Sequence, residues 1–230
     1  MLHSLTIVVI ALTLIACSDG TKEAKQMIKE SIGPNSEFEL RNVRTFPGKV
    51  VCGEYLIGKR TSAHPFIAVR DMLYKNPGKL YSDFFCSEAP ANVLQESTGI
   101  GPYNADNSKL GQITNDFSML VIALESYHHD YASYPTIEQG LQALASPPDN
   151  PRSPTTHSAD SYLKAIPLDP WGRPYLYQEN QWGGSKGNFT ITTLGANGIA
   201  GGTGDNADSS TRFLVQLQHM AFIVGQQTDA

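Results

Sequence analysis

The most regular alternation of apolar and polar positions lies between residues 108 and 131. There Ile113, Phe117, Leu120, Leu124, Tyr127 and Tyr131 recur in steps of four, three, four, three and four. Such spacing draws one stripe along a helix, and Asn107 or Ser108 stands where an N-cap is expected. A shorter stripe of Ala24, Met27, Ile28 and Ile32 predicts an amphipathic helix over 21–32, closed by Gly33-Pro34-Asn35. Phe38 to Phe46 and Lys49 to Tyr55 flank a Pro47-Gly48 turn and read as a hairpin, with Pro65 to Val69 as a third strand. Ala89 to Asn107 carries Pro, Ser, Gly and Asn with no apolar period, which predicts a linker.

Beyond the long helix, Thr136 and Gln139 have the spacing of a capping box, so a further helix is expected just after Pro135. Asp169-Pro170-Trp171-Gly172 places Pro and Gly where a β-turn wants them, and Arg173 to Gln178 follows as a strand. Asn188 to Leu194 alternates as a half-buried second strand would. The Gly-rich, Asp/Asn-bearing stretch that follows fits neither helix nor strand and reads as a loop held in shape by a cation. Phe213, Leu217, Met220, Ala221 and Val224 then form a last helical stripe, either packed on the rest or offered to a partner.

A length of 230 residues allows one or two domains with a real core. The formal net charge of −5, without any Lys/Arg-rich run, argues against nucleic acid as a partner. Leu5 to Ala16 is an apolar run about half as long as a bilayer span requires. It ends in Leu14-Ile15-Ala16-Cys17 and resembles a bacterial lipoprotein signal, with residues 1–16 removed and Cys17 lipidated. An ordinary cleaved signal peptide is the alternative. Either way export is expected. Ser18 after Cys17 resembles an outer-membrane sorting signal, so a periplasm-facing protein on the outer membrane is expected ahead of the inner one. Cys52 and Cys86, the remaining cysteines of an exported chain, are then expected to pair, a reactive thiol being the other reading.

Three segments carry a family resemblance: YPTIEQGLQAL (Tyr134 to Leu144), PLDPWGRPYLY (Pro167 to Tyr177) and TLGANGIAGGTGDNAD (Thr193 to Asp208). In this order and spacing they resemble the globular head of the major pseudopilin of type II secretion systems, over roughly Ser108 to Ser210. The resemblance implies an N-terminal helix packed on a small antiparallel sheet with a calcium loop, and a filament subunit in place of an enzyme. It places calcium on the carbonyl of Leu194 and on Asn197, Asp205 and Asp208. Asn197 stands where the family has Asp, and Thr203 where it often has Glu. Fewer charges among the ligands should weaken the site. A metal-free loop braced by Asx-type hydrogen bonds is the alternative. The family's GFTLIE-like peptidase site finds no counterpart, since Thr13-Leu14-Ile15 leads into Ala16-Cys17; the usual filament packing is therefore not expected. Val51 to Glu54 (VCGE) also resembles a small exported domain of bacterial lipoproteins, with Leu56 at that signature's Asn.

His128-His129-Asp130 invites a catalytic or metal reading. Adjacent helical residues point ~100° apart, so the two imidazoles cannot easily share a ligand. His157 has no evident partner, and no nucleophile elbow, P-loop, HExxH or paired-carboxylate pattern appears. The resulting expectation is an α+β lipoprotein: signal 1–16, a disulfide-linked β-rich domain 17–88, a linker 89–107, a pseudopilin-like head 108–210 and a helical extension 211–230. Its expected role is non-enzymatic, as an accessory of a secretion or pilus-like machine, with protein partners, bound calcium and a membrane anchor on Cys17. A structural envelope lipoprotein without a secretion role is the alternative. A hydrolase using His128 or His157 is a third reading.

Overall fold

The computed structural model describes residues 19–59, 62–103, 108–146, 161–180 and 187–228. Cys17 with the run before it, Asn107 and His157 lie outside these residues. The chain divides into two compact units, Met1–Cys86 and Ser87–Ala230.

In the first unit α1 (Asp19–Ile32) is followed by β1 (Phe38–Phe46), β2 (Val50–Ile57), β3 (His64–Val69) and β4 (Met72–Lys75). The four strands form an antiparallel sheet in sequential order. Ala24 and Ile28 of α1 are buried against Val51, Tyr55, Phe66 and Ala68, and Met27 and Ile32 pack around them. The predicted stripe is thus the packing face. The fourth strand had no counterpart in the sequence reading. Its turn is only Arg70-Asp71, with Val69 paired to Met72 and Arg70 at φ 54°, and it lacks the Gly or Asn that usually marks such a turn. A short α2 (Lys79–Phe85) closes the unit, burying Phe84 and Phe85. Cys86 at its C-cap is bonded to Cys52 of β2, with Cα atoms 6.0 Å apart.

The second unit begins with a departure from expectation. The segment read as a linker contains α3 (Pro90–Thr98), with Pro at its first turn and Gly99 beyond its end at φ 77°. Pro at the start and Gly past the end are ordinary helix punctuation. With Pro90 and Leu94 its only buried residues, the helix is too short to show a stripe. Then comes α4 (Ser108–Tyr131), which buries Ile113, Phe117, Leu120, Leu124 and Tyr127 as the pattern predicted. Tyr131, the last of the stripe, stacks on Tyr127 at 4.3 Å between centroids.

The capping box is made, but it does not start a helix. Thr136 N–H donates to Gln139 Oε1 at 2.8 Å and Gln139 N–H donates to Thr136 Oγ1 at 3.3 Å. Gly140, at φ 56°, then breaks the run, and α5 covers only Gln142–Ala145. β5 (Leu176–Asn180), β6 (Asn188–Thr193) and β7 (Ser209–Ser210) make a three-stranded antiparallel sheet. The first of these starts three residues later than expected, because Pro174 lies before it in an isolated bridge to Leu168. The chain then forms α6 (Leu214–Thr228), which packs on α4 and α3 and buries Gln216, Leu217, His219 and Met220. Gln218 donates to Ser118 Oγ of α4 at 3.0 Å. Among the described residues no helix is long and apolar enough to cross a membrane.

Candidate functional site

The Gly-rich loop leaves β6 at Thr193 and returns through a 3-10 turn, Gly204–Asn206, to β7. Its two limbs close on each other: Ala196 N–H donates to the carbonyl of Asp205 at 2.6 Å. At Gly195 (φ 61°) a Cβ would stand 2.6 Å from the backbone carbon of Asn206 and 2.8 Å from the carbonyl oxygen of Ala207. Only glycine fits there, on both conformation and space.

Of the four expected ligand residues, Leu194 follows directly on β6 and is half-buried. Asn197 is exposed, and its Oδ1 accepts from Ile199 N–H at 3.0 Å, an Asx-type bond. Asp205 Oδ2 accepts from Lys109 Nζ at 2.7 Å. Asp208 Oδ2 accepts from Gly201 N–H at 2.9 Å, tying the two limbs together, while its Oδ1 is buried without a hydrogen-bond partner in the structure. A carboxylate oxygen in that condition is costly unless something positive reaches it. No group of three or more His, Cys, Asp and Glu suited to a metal occurs among the described residues. A hard cation that takes backbone and amide oxygens as readily as carboxylates fits this donor set, whereas zinc does not. Hydrogen bonds among the loop's own residues, the Asx-type bond of Asn197 included, also brace it.

The loop has a footing that the sequence did not reveal. Asp169, in the predicted turn, is only 4% exposed. Its Oδ1 accepts from Trp171 N–H at 3.0 Å and Arg173 N–H at 2.8 Å, and its Oδ2 accepts from Thr193 Oγ1 at 2.7 Å. Burial pushes this carboxyl up. The bonds from Thr193, Arg173 and Trp171, with the Arg173 charge, outweigh burial and hold it below the usual carboxylate range. Arg173 then turns to the loop and donates to the carbonyls of Gly195 and Ala196, the latter at 3.3 Å. One carboxylate thereby fixes both the strand before the loop and the arginine that grips it.

A second anchor comes from α3. Gly204 N–H donates to the carbonyl of Gly99 at 2.9 Å. A Cβ on Gly99 would lie 2.7 Å from the carbonyl oxygen of Gly202. The supposed linker therefore touches the loop directly.

The two histidines do not form a site. His128 packs its ring on Tyr134 at 4.8 Å, and His129 Nδ1 lies 3.1 Å from Asp130 Oδ1 at the surface. Asp130 also accepts from Tyr162 at 2.7 Å, and two more acids of α4 bind tyrosines: Glu125 with Tyr134 and Asp116 with Tyr175, both at 2.8 Å. These acids hold the helix to the head. Over the outer face of the sheet lies a groove of about 600 Å³, bordered by uncharged side chains such as Gln178, Asn188 and Thr190. Its charged lining residues are Asp208 and Arg212.

A family model described as "Type II secretion system (T2SS), protein G" matches residues 103–211. The type II secretion system core protein G of Pseudomonas aeruginosa is 39% identical over 103 residues, which cover 45% of this chain and 70% of that protein. The Vibrio cholerae protein of the same description is 39% identical over 105 residues, 46% of this chain and 69% of its own length. The crystal structure of the major pseudopilin from the type 2 secretion system of enterohaemorrhagic Escherichia coli matches with 32% identity and a TM-score of 0.36, covering 46% of this chain and 88% of that one. Through its C-terminal half, which carries the Asp169 turn and the glycine-rich loop, the chain belongs to the type II secretion system protein G family.

Proposed function

We propose that this chain is a non-enzymatic component of a protein secretion machine in the bacterial cell envelope, working through contacts with other proteins of that machine. The observation that carries this reading is the match spanning 70% of the Pseudomonas aeruginosa core protein G. The head is read as calcium-braced, with the Leu194 carbonyl, Asn197, Asp205 and Asp208 as the residues that would hold the ion. The buried, unpartnered Oδ1 of Asp208 supports it. Calcium would supply charge neutralisation and cross-link the two limbs of the loop. The chain's own residues would do the rest: Arg173 and Gly99 fix the limbs, and Asp169 fixes Arg173. A lipid on Cys17 would hold the protein at the membrane, with the outer membrane the expected side.

The test is thermal unfolding of the full-length, detergent-solubilised protein with calcium and with a chelator. A ligand bound only by the native state stabilises by about 2.7 kcal/mol at a hundredfold excess over Kd. A calcium-dependent rise in Tm is expected, and Asp208→Asn should abolish it. No rise at millimolar calcium would overturn the calcium reading. The secretion role is tested separately, by disulfide cross-linking of single-cysteine variants on the exposed face of α4 to the host's own core protein G. Absence of any specific cross-link there, and unchanged secretion after deletion of the gene, would favour the purely structural envelope role.

A further inference from the structure

Two protein cations already touch the glycine-rich loop. Lys109 is the second residue of α4, and its Nζ lies 2.7 Å from Asp205 Oδ2, with both side chains about half exposed. The same ammonium stands 5.7 Å from the ring centre of Trp171, whose ring also lies 5.8 Å from the Arg173 guanidinium. The loop's two carboxylates are therefore in different states. Asp205 is neutralised by the chain itself, while Asp208 keeps one buried oxygen that no hydrogen-bond donor reaches.

We propose that Lys109 is a built-in competitor for the cation of this loop, so that calcium occupancy requires Asp205 to exchange the Lys109 ammonium for the metal. The proposal rests on the calcium reading of the loop. The exchange is easy because the ion pair is solvent-exposed and such pairs are weak. The ammonium is not left without a partner on displacement, since it already lies over the Trp171 ring in a cation–π contact. The consequence is a response threshold. With a lysine on one of two carboxylates, the loop fills only when calcium is high enough to displace it, and below that level the lysine keeps Asp205 from standing as an uncompensated charge.

The deciding experiment is calcium titration by calorimetry on the full-length protein in detergent, comparing wild type with Lys109→Met, Lys109→Gln and Lys109→Arg. Both neutral variants should bind calcium about fivefold more tightly at low ionic strength, the upper worth of an exposed ion pair. That gain should shrink in ~0.5 M salt as screening removes the competing charge. The arginine variant should stay near wild type. Neutral variants that bind with the wild-type Kd, or more weakly, would overturn the competition while leaving the calcium site standing. No calcium heat in wild type or in any variant would overturn both, and an unchanged Asp208→Asn control would confirm that outcome.

Discussion

At Asp169 a carboxylate is almost wholly buried yet stays charged, because three donors converge on its two oxygens. Asp169→Ala should cost about 2–4 kcal/mol, as expected when the donors around a buried carboxylate lose their acceptor; denaturant unfolding measures it. The pH dependence has a definite sign. The native pKa lies below the ordinary 3.8, so the stabilisation is complete above that value and is lost as pH falls through the lower native one. Acid unfolding of Asp169→Asn should accordingly be flatter below pH ~4 than that of wild type. Gly99 is the other sensitive residue. Ala there meets both a left-handed backbone at φ 77° and the Gly202 carbonyl, and should destabilise the head by about 1–3 kcal/mol.

At the scale of elements, α4 is held from within by its apolar stripe and from outside by tyrosines. Phe117 is fully buried against Tyr175, and Phe117→Ala should cost about 3–5 kcal/mol. Tyr175 and Tyr162 have phenols pushed up by burial first and then by their bonds to Asp116 and Asp130. A raised native pKa gives stability that is present below the ordinary 10.0 and lost as pH climbs beyond it. Alkaline unfolding should therefore set in above pH ~10 and be blunted in Tyr175→Phe, which loses only about 1 kcal/mol at neutral pH. The stripe of α4 was legible because six apolar residues repeat at helical spacing from Ile113 to Tyr131. The tyrosine–acid pairs were not. Tyr175 and Asp116 are 59 residues apart, and nothing local in either segment marks the partner. The same contrast holds in the loop: its Asx bond and its glycines follow from short-range rules, whereas the grip of Arg173 and the reach of Lys109 depend on the fold. The nine residues of α3 were hidden for another reason, since so short a helix shows its caps but no period.

For the whole molecule, the two units rest on different devices. The first is bridged across a sequence separation of 34 by Cys52–Cys86, worth about 3–4 kcal/mol on a chain-entropy account. Reduction should lower the midpoint of that unit's transition, and Cys52→Ser should do the same without a reductant. The second contains no disulfide among its described residues and relies on packing around α4, with α3 and α6 added on either side of the family match at 103–211. The clasp between Gly99 and Gly204 then bears on how this head can be moved or dissected. What is shared with relatives and what must travel together are not the same length of chain. A fragment cut where the kinship begins would carry the loop but leave behind the carbonyl that receives the Gly204 amide and α3, one of the two helices on which α6 packs. The portable piece starts at Ser87, and a transplant or hybrid built on the shorter one would inherit the glycine-rich loop without the frame that positions it.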